Sequence, residues 1–401
     1  MYHLRINPFW QRCLALLLAL MLLPSLAIAQ ALPTEPDSDL FRMYPAETRY
    51  FWNQLTDHEK QLFAILYTAI EEYQPNVRLP RNQFTVQEME RVGFVLQEDC
   101  PELIHYKMCW YDYKPHSGKV GLVTPSYTYT ADEGRWRWDI VRNKLNRLME
   151  YVFPLEDDFE RELFLYRSII VSTEYDALQV EKQEADAVFV DGRSVCAGYA
   201  ASMMLACRMA GIPCFSVSGY AYLDTDPALP RERTQENSHA WNAVQIGRNW
   251  YFADLTWDDP LPMEGQEISD YRREYMLYMN LNEAELSPSH EVDYAAYAGW
   301  TLPSFHSLED SFISRKLPNS RVEGDWRDEM QAQLAGLRAM DNPRVVLIFP
   351  TVEERNAERS AATGQLRAWL REMGWQGSYS SATFFEYPIL IFDLAGMRAP
   401  E

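Results

Sequence analysis

Between Ser238 and Asp254 the chain carries a pattern that admits one strand register. Ser238 to Ile246 alternates as a half-buried strand does, Gly247-Arg248 interrupts it, and Trp250 to Asp254 resumes it. A two-residue loop with Gly at its first central position suits a type II′ turn, the connection that joins antiparallel strands. Pairing Ile246 with Asn249 then sets Trp241 opposite Asp254 and His239 opposite Thr256. Side chains alternate with period two, so His239 and Asp254 fall on one face as diagonal neighbours, about 7 to 8 Å apart at Cα. A slip of one residue would put them on opposite faces.

Upstream, Asp191-Gly-Arg-Ser-Val-Cys196-Ala-Gly-Tyr-Ala200 reads as a turn that opens a helix, with Ser194 as the expected N-cap and Gly211 and Pro213 as the stop. Cys196 then sits in the first turn. There the helix dipole is worth at most about 2 kcal/mol, enough to bring a thiol pKa of about 8.5 to roughly 7. A protonated imidazole alongside must supply any further lowering. Cys196, His239 and Asp254 are thus the parts of a cysteine nucleophile, its base and the group that orients the base. The backbone N–H of Cys196 would be one oxyanion donor; Tyr175 and Tyr199 are candidates for a second. Trp241 and Trp257, beside these residues, are expected to pack the hairpin and wall a cleft.

Ser-Val-Cys-Ala-Gly-Tyr-Ala, His-Ala-Trp-Asn and Ala-Asp-Leu-Thr-Trp-Asp resemble the three motifs of the transglutaminase-like superfamily, in its microbial secreted branch, over roughly Leu163 to Asp259. The resemblance implies a papain-like fold with Cys196 as nucleophile, His239 as general base and Asp254 as orienter. Tyr175-Asp176 is similar to the Tyr-Asp that follows the family's preceding helix. Tyr50-Phe-Trp-Asn-Gln-Leu-Thr-Asp57 and Asp99-Cys-Pro-Glu102 resemble the N-terminal extension of such bacterial proteins. The helix before Tyr175 carries Leu165-Tyr-Arg-Ser-Ile169 where many relatives have a His-Asp pair, so the resemblance gives that helix no part in supporting the triad.

Residues 1–29 have the form of a signal peptide: Arg5 and Arg12, an apolar run from Cys13 to Leu23, Pro24, and an Ala27-Ile-Ala29 cleavage site. The run is short for a membrane span of about 20 residues. Export to a periplasmic, cell-envelope or extracellular location is the expectation, with no stable membrane insertion after cleavage. The chain's net charge is −21, and the leader holds no acidic residue, so its removal leaves the remainder more acidic still. That balance disfavours nucleic acid and anionic bilayers as partners. In an oxidising compartment Cys100 with Cys109, and Cys207 with Cys214, could pair, leaving Cys196 as the odd thiol.

The expected class is α+β, with a helix bearing the cysteine packed on an antiparallel sheet bearing the histidine and aspartate. Residues 30–40 read as a disordered leader, 41–153 as an N-terminal α+β domain, 154–315 as the catalytic domain and 320–401 as a small C-terminal α/β domain. Within them, Leu55 to Tyr73 forms a helix opened by a Thr56–Glu59 capping box, and Tyr271 to Leu281 reads as a further helix. No phosphate loop, dinucleotide fingerprint or His-Glu-x-x-His helix is present, and no cofactor or metal is expected. His290 and His306 read as surface or otherwise satisfied polar residues. The expected activity is thiol acyl transfer on an amide of a protein, peptide or peptidoglycan stem, with hydrolysis leading. Amine crosslinking, or a non-catalytic envelope-binding role, are the alternatives.

Overall fold

The computed structural model describes residues 32–178, 183–223, 231–259, 274–337, 343–383 and 388–399. The expected signal peptide lies outside them. Helix α1 (Asp57–Glu71) starts with the capping box read from the sequence: the Glu59 N–H donates to Thr56 Oγ1, and the Thr56 N–H donates to Glu59 Oε2. The same signature at Thr85 and Glu88 opens α2 (Val86–Glu98), an element not anticipated above. Strands β1 (Val77–Arg78), β2 (Tyr106–Lys114) and β3 (Lys119–Tyr127) form an antiparallel sheet in the order β1-β3-β2. Helices α3 (Ala131–Val152) and α4 (Asp158–Ser172) follow, capped by Thr130 and Asp157.

The disordered leader expected at 30–40 is corrected from residue 32 onward. Leu32 packs on the core, Pro36 and Ser38 are buried, and Ser38 Oγ accepts from the Phe41 N–H. Phe41 is seated edge-on against Trp52, Phe63 and Tyr67, which draws the residues before it onto the surface.

Strands β4 (Glu174–Tyr175) and β5 (Arg193–Ser194) pair in parallel just ahead of α5 (Cys196–Met209). Helix α5 is buried along most of its length against a four-stranded antiparallel sheet. That sheet has the order β8-β7-β6-β9, from β6 (Cys214–Ala221), β7 (Ser238–Ile246), β8 (Asn249–Ala253) and β9 (His290–Val292). Asn242 Nδ2 donates to the Ala200 carbonyl at 2.9 Å and ties sheet to helix. The β7–β8 register is the one derived above, Ile246 opposite Asn249, with Gly247 at φ +59° in the turn.

Tyr271 to Leu281 is not a helix where it is described, from residue 274. The segment turns along the sheet edge, where Leu281 and Phe252 exchange both backbone hydrogen bonds and the Tyr278 carbonyl accepts from the Asp254 N–H. One apolar core runs from Phe41 to Ile313 across the expected boundary at 153/154 and also takes in Val346, Ile348, Ile389 and Ile391, so packing is continuous there. A second gathers Val322 to Leu394, where the helices Trp326–Gly336 and Val352–Glu372 cover the antiparallel strands Arg344–Ile348, Ser380–Thr383 and Ile389–Asp393. Among the described residues no helix is long and apolar enough to cross a membrane. The five described cysteines are free thiols, so neither expected pair is bonded, although Cys207 and Cys214 are hydrogen-bonded neighbours.

Gly219 explains itself by contact. It lies in β6 between His239 on β7 and Val292 on β9, and a Cβ there would come within 2.2 Å of the Glu291 carbonyl oxygen and 2.6 Å of Trp241 Cη2. Backbone on one side and a buried indole on the other leave no room. Gly219→Ala is expected to destabilise the fold by about 1–3 kcal/mol, read as a lower urea midpoint at unchanged slope; an unchanged midpoint would show that the strands part freely here.

Candidate active site

Cys196 is the first residue of α5, half-buried at the positive end of the helix dipole. Ser194 is not its N-cap, as expected above. Val195 holds that position without a side-chain bond, because Ser194 is committed to β5, opposite Tyr175. Gly192, at φ +69°, makes the turn that permits this pairing. A Cβ on Gly198 would lie 1.9 Å from Ser194 Oγ, so the Gly of the cysteine motif is where the approaching strand presses on the helix.

His239 projects from β7 and meets both other groups. Its Nε2–H donates to Asp254 Oδ2 at 2.6 Å, and the ring is hydrogen-bonded to the Cys196 thiol, leaving Nδ1 for that contact. The β7–β8 ladder ends at Asn242–Ala253, one pair short of the expected Trp241–Asp254 pair. Asp254 instead caps the short helix α6 (Leu255–Asp258): its Oδ1 accepts from the Thr256 N–H at 2.9 Å, the Trp257 N–H at 3.2 Å and Thr256 Oγ1 at 2.6 Å. One carboxylate oxygen is therefore fixed by the cap and the other is aimed at the imidazole. Trp241, buried, stacks on the His239 ring at 5.9 Å and 26°.

Protonation follows from these contacts. Burial pushes the Cys196 thiol up, but the hydrogen bond and charge of His239, with the Ala240 backbone N–H, outweigh it and leave the thiol below its ordinary value. Burial alone would lower His239, yet the charge and hydrogen bond of Asp254, and then Cys196, raise it to about 10. Asp254 is held well below the usual carboxylate range: burial opposes this, but His239 and then His290 prevail. Between the lowered thiol value and about pH 10 the resting state is a thiolate–imidazolium pair.

Residues 148–255, which contain Cys196, His239 and Asp254, match the profile of the transglutaminase-like superfamily. This stretch is a transglutaminase-like domain. Over 127 residues, 30% of its length, the chain is 28% identical to the kyphoscoliosis peptidase of Mus musculus, and over 109 residues, 26% of its length, 29% identical to that of Homo sapiens. The chain covers 19% and 16% of the length of those relatives. Among solved structures, the periplasmic domain of TgpA from Pseudomonas aeruginosa is similar over 38% of this chain and 65% of that one, at 16% identity and a TM-score of 0.23.

Two supports of the transglutaminase-like site were not anticipated. Tyr166, in the part of α4 assigned no role, donates from its hydroxyl to the Asp254 carbonyl at 2.6 Å and lies 2.8 Å from Asp258 Oδ2. Asp258 in turn accepts the Leu277 and Tyr278 N–H groups, which anchors the end of α6. His290 is the second: fully buried rather than on the surface, with Nε2 at 2.9 Å from the same Asp254 Oδ2 that holds His239. Among the described residues, His239, Asp254 and His290 form a cluster of potential metal ligands, their atoms all within 4.8 Å. Both imidazole–carboxylate separations are hydrogen-bond lengths, and His239 is engaged by the thiol as well, so a proton network accounts for the cluster.

Proposed function

We propose that this protein is a thiol acyl-transfer enzyme acting on amide bonds, with hydrolysis as its main outcome. The Cys196 thiolate attacks the amide carbonyl; the imidazolium of His239 gives its proton to the departing amine as the carbon–nitrogen bond breaks. Water then attacks the thioester, losing a proton to His239, and the carboxylic acid and the thiolate are released. Asp254 keeps the imidazole in the donating tautomer and stabilises its charge. The backbone N–H of Cys196, at the helix start, is placed to receive the oxyanion.

The observation that carries this reading is the contact chain itself: a thiol at a helix tip bonded to His239, and His239 bonded to a buried carboxylate. A module that only binds peptides has no need of such a charge relay. The peptidase name of the curated relatives favours water over an amine as the second nucleophile. The substrate class is a protein, peptide or peptidoglycan stem, met after export. An assay with casein and a dansylated amine separates the outcomes. New peptide termini without dansyl incorporation are expected; dansyl transfer would make the enzyme a crosslinker, and neither product, on casein or on peptidoglycan, would sink the enzymatic reading.

A further inference from the structure

His290 stands 36 residues from Asp254 in the chain and enters the site on β9, which pairs with β6 through Ala221–His290, Tyr220–Glu291 and Gly219–Val292. Its side chain has no exposed surface. Asp254 is ionised, so each imidazole nitrogen at Oδ2 must carry the hydrogen; His290 therefore presents Nε2–H, and its Nδ1 accepts from the Ser289 hydroxyl at 2.7 Å. Burial, the largest influence, keeps this ring neutral, against the pull of Asp254. The groups around it are Asp254, the His239 ring at 5.5 Å, Tyr278 at 5.6 Å, Trp257 at 4.6 Å and Trp241 at 5.1 Å, while the neighbouring Glu291 is turned to Arg233. Among these, only Asp254 exchanges a hydrogen bond with Nε2.

We propose that His290 is a positioning residue of this site: as a neutral Nε2–H donor on Asp254 Oδ2 it takes a share of the carboxylate's charge and so limits how tightly His239 holds its proton. The argument rests on the acyl-transfer reading above, in which His239 must release that proton to the leaving amine. Oδ1 is already fixed by three donors from α6, so loss of His290 leaves the carboxylate in place. What changes is its basicity: two donors on one oxygen compete for the same lone-pair density, and with one removed the other is bound more strongly. Without His290 the imidazolium is a weaker acid, and the thiolate beside it is better stabilised.

The test is the rate of Cys196 alkylation by iodoacetamide across pH, measured on the full chain without its leader. In His290→Leu, which keeps volume and removes the donor, the two inflections of the profile are expected to move apart. The lower one falls and the upper one rises, and one pH unit below the wild-type lower inflection alkylation runs about twofold faster, since a tenfold more acidic thiol gives about five times the thiolate at about threefold lower nucleophilicity. His290→Gln restores an N–H donor and returns the profile to that of the wild type. A merely structural role moves neither inflection and lowers only the amount of native protein by near-UV dichroism. Should His290→Leu not fold, Ser289→Ala decides: removing the hydroxyl that supports Nδ1 weakens the donor and displaces the inflections in the same directions, by less. Inflections that stay in place, or approach each other, overturn the inference. If wild-type Cys196 itself alkylates like an ordinary thiol, the acyl-transfer reading fails first and separately.

Discussion

Replacing His239 with alanine is expected to silence Cys196 twice over. The thiol is below its ordinary pKa because the His239 hydrogen bond and charge, with the Ala240 N–H, outweigh burial; with the ring gone, only the Ala240 N–H and the helix dipole are left to oppose burial and the thiol rises. Near pH 6 each pH unit of that rise costs up to tenfold in thiolate fraction, and the greater intrinsic nucleophilicity of a more basic thiolate returns about half of that in logarithmic terms. Alkylation by iodoacetamide at pH 6 should therefore slow, by up to about threefold for each such unit. Amide turnover loses more, because the proton donor to the leaving amine disappears as well, a contribution of about 10²- to 10⁴-fold. The same groups set the wild-type pH range. His239 is raised from 6.5 to about 10, so the stability it lends is complete below 6.5 and is lost as pH climbs through 10. Asp254 is lowered, so its share is present above the unfolded carboxylate value and disappears only as pH falls through the folded one. Equal alkylation of wild type and His239→Ala at pH 6 would mean that the ion pair does not exist.

The parts of this site that could be read in the sequence are those built from local geometry. The β7–β8 hairpin was legible because a two-residue turn and a period of two leave a single register, and the diagonal relation of His239 to Asp254 survived even though the ladder stops at Asn242–Ala253. The start of α5 was legible to within a residue, but its cap was not, since the competing claim on Ser194 comes from Tyr175, nineteen positions earlier in the chain. His290 and Tyr166 were out of reach for the same reason on a larger scale. Each acts on Asp254 through a contact spanning 36 or 88 positions, and neither sits in a local pattern that distinguishes it from an ordinary buried polar residue. The leader was misread because Pro and acidic residues dominate residues 30–40, whereas the aromatic socket around Phe41 that holds them exists only once α1 has folded.

Arg208→Ala is expected to cost about 3–5 kcal/mol of folding stability, a large part of the roughly 5–15 kcal/mol a domain has. Arg208 lies in α5 and has no exposed side-chain surface; its guanidinium donates to the Asp99 carboxylate, to the Asp99 carbonyl at 2.8 Å and to the Cys214 carbonyl at 2.8 Å. The second oxygen of Asp99 accepts the Phe51 and Trp52 N–H groups at 3.0 and 2.8 Å. Alanine at 208 thus leaves a buried carboxylate without its ion-pair partner, while the double replacement Asp99→Asn, Arg208→Ala removes both charges and should recover part of the loss, a coupling that urea unfolding of the four proteins measures. A double variant whose loss equals the sum of the two single losses would show that the two groups do not interact. The pair has a consequence for the architecture. Arg208 and Cys196 share one helix, about 18 Å apart at 1.5 Å per residue, and Asp99 belongs to the segment ahead of residue 148, where the superfamily match begins. A second buried pair, Arg49 with Glu102 at 2.8 Å, lies within the N-terminal segment, with Tyr67 donating to Glu102 at 2.8 Å. A fragment cut to the matched residues would strand Arg208 without its counter-charge. The helix that presents Cys196 thus takes the counter-charge for its buried Arg208 from the segment that precedes the matched domain.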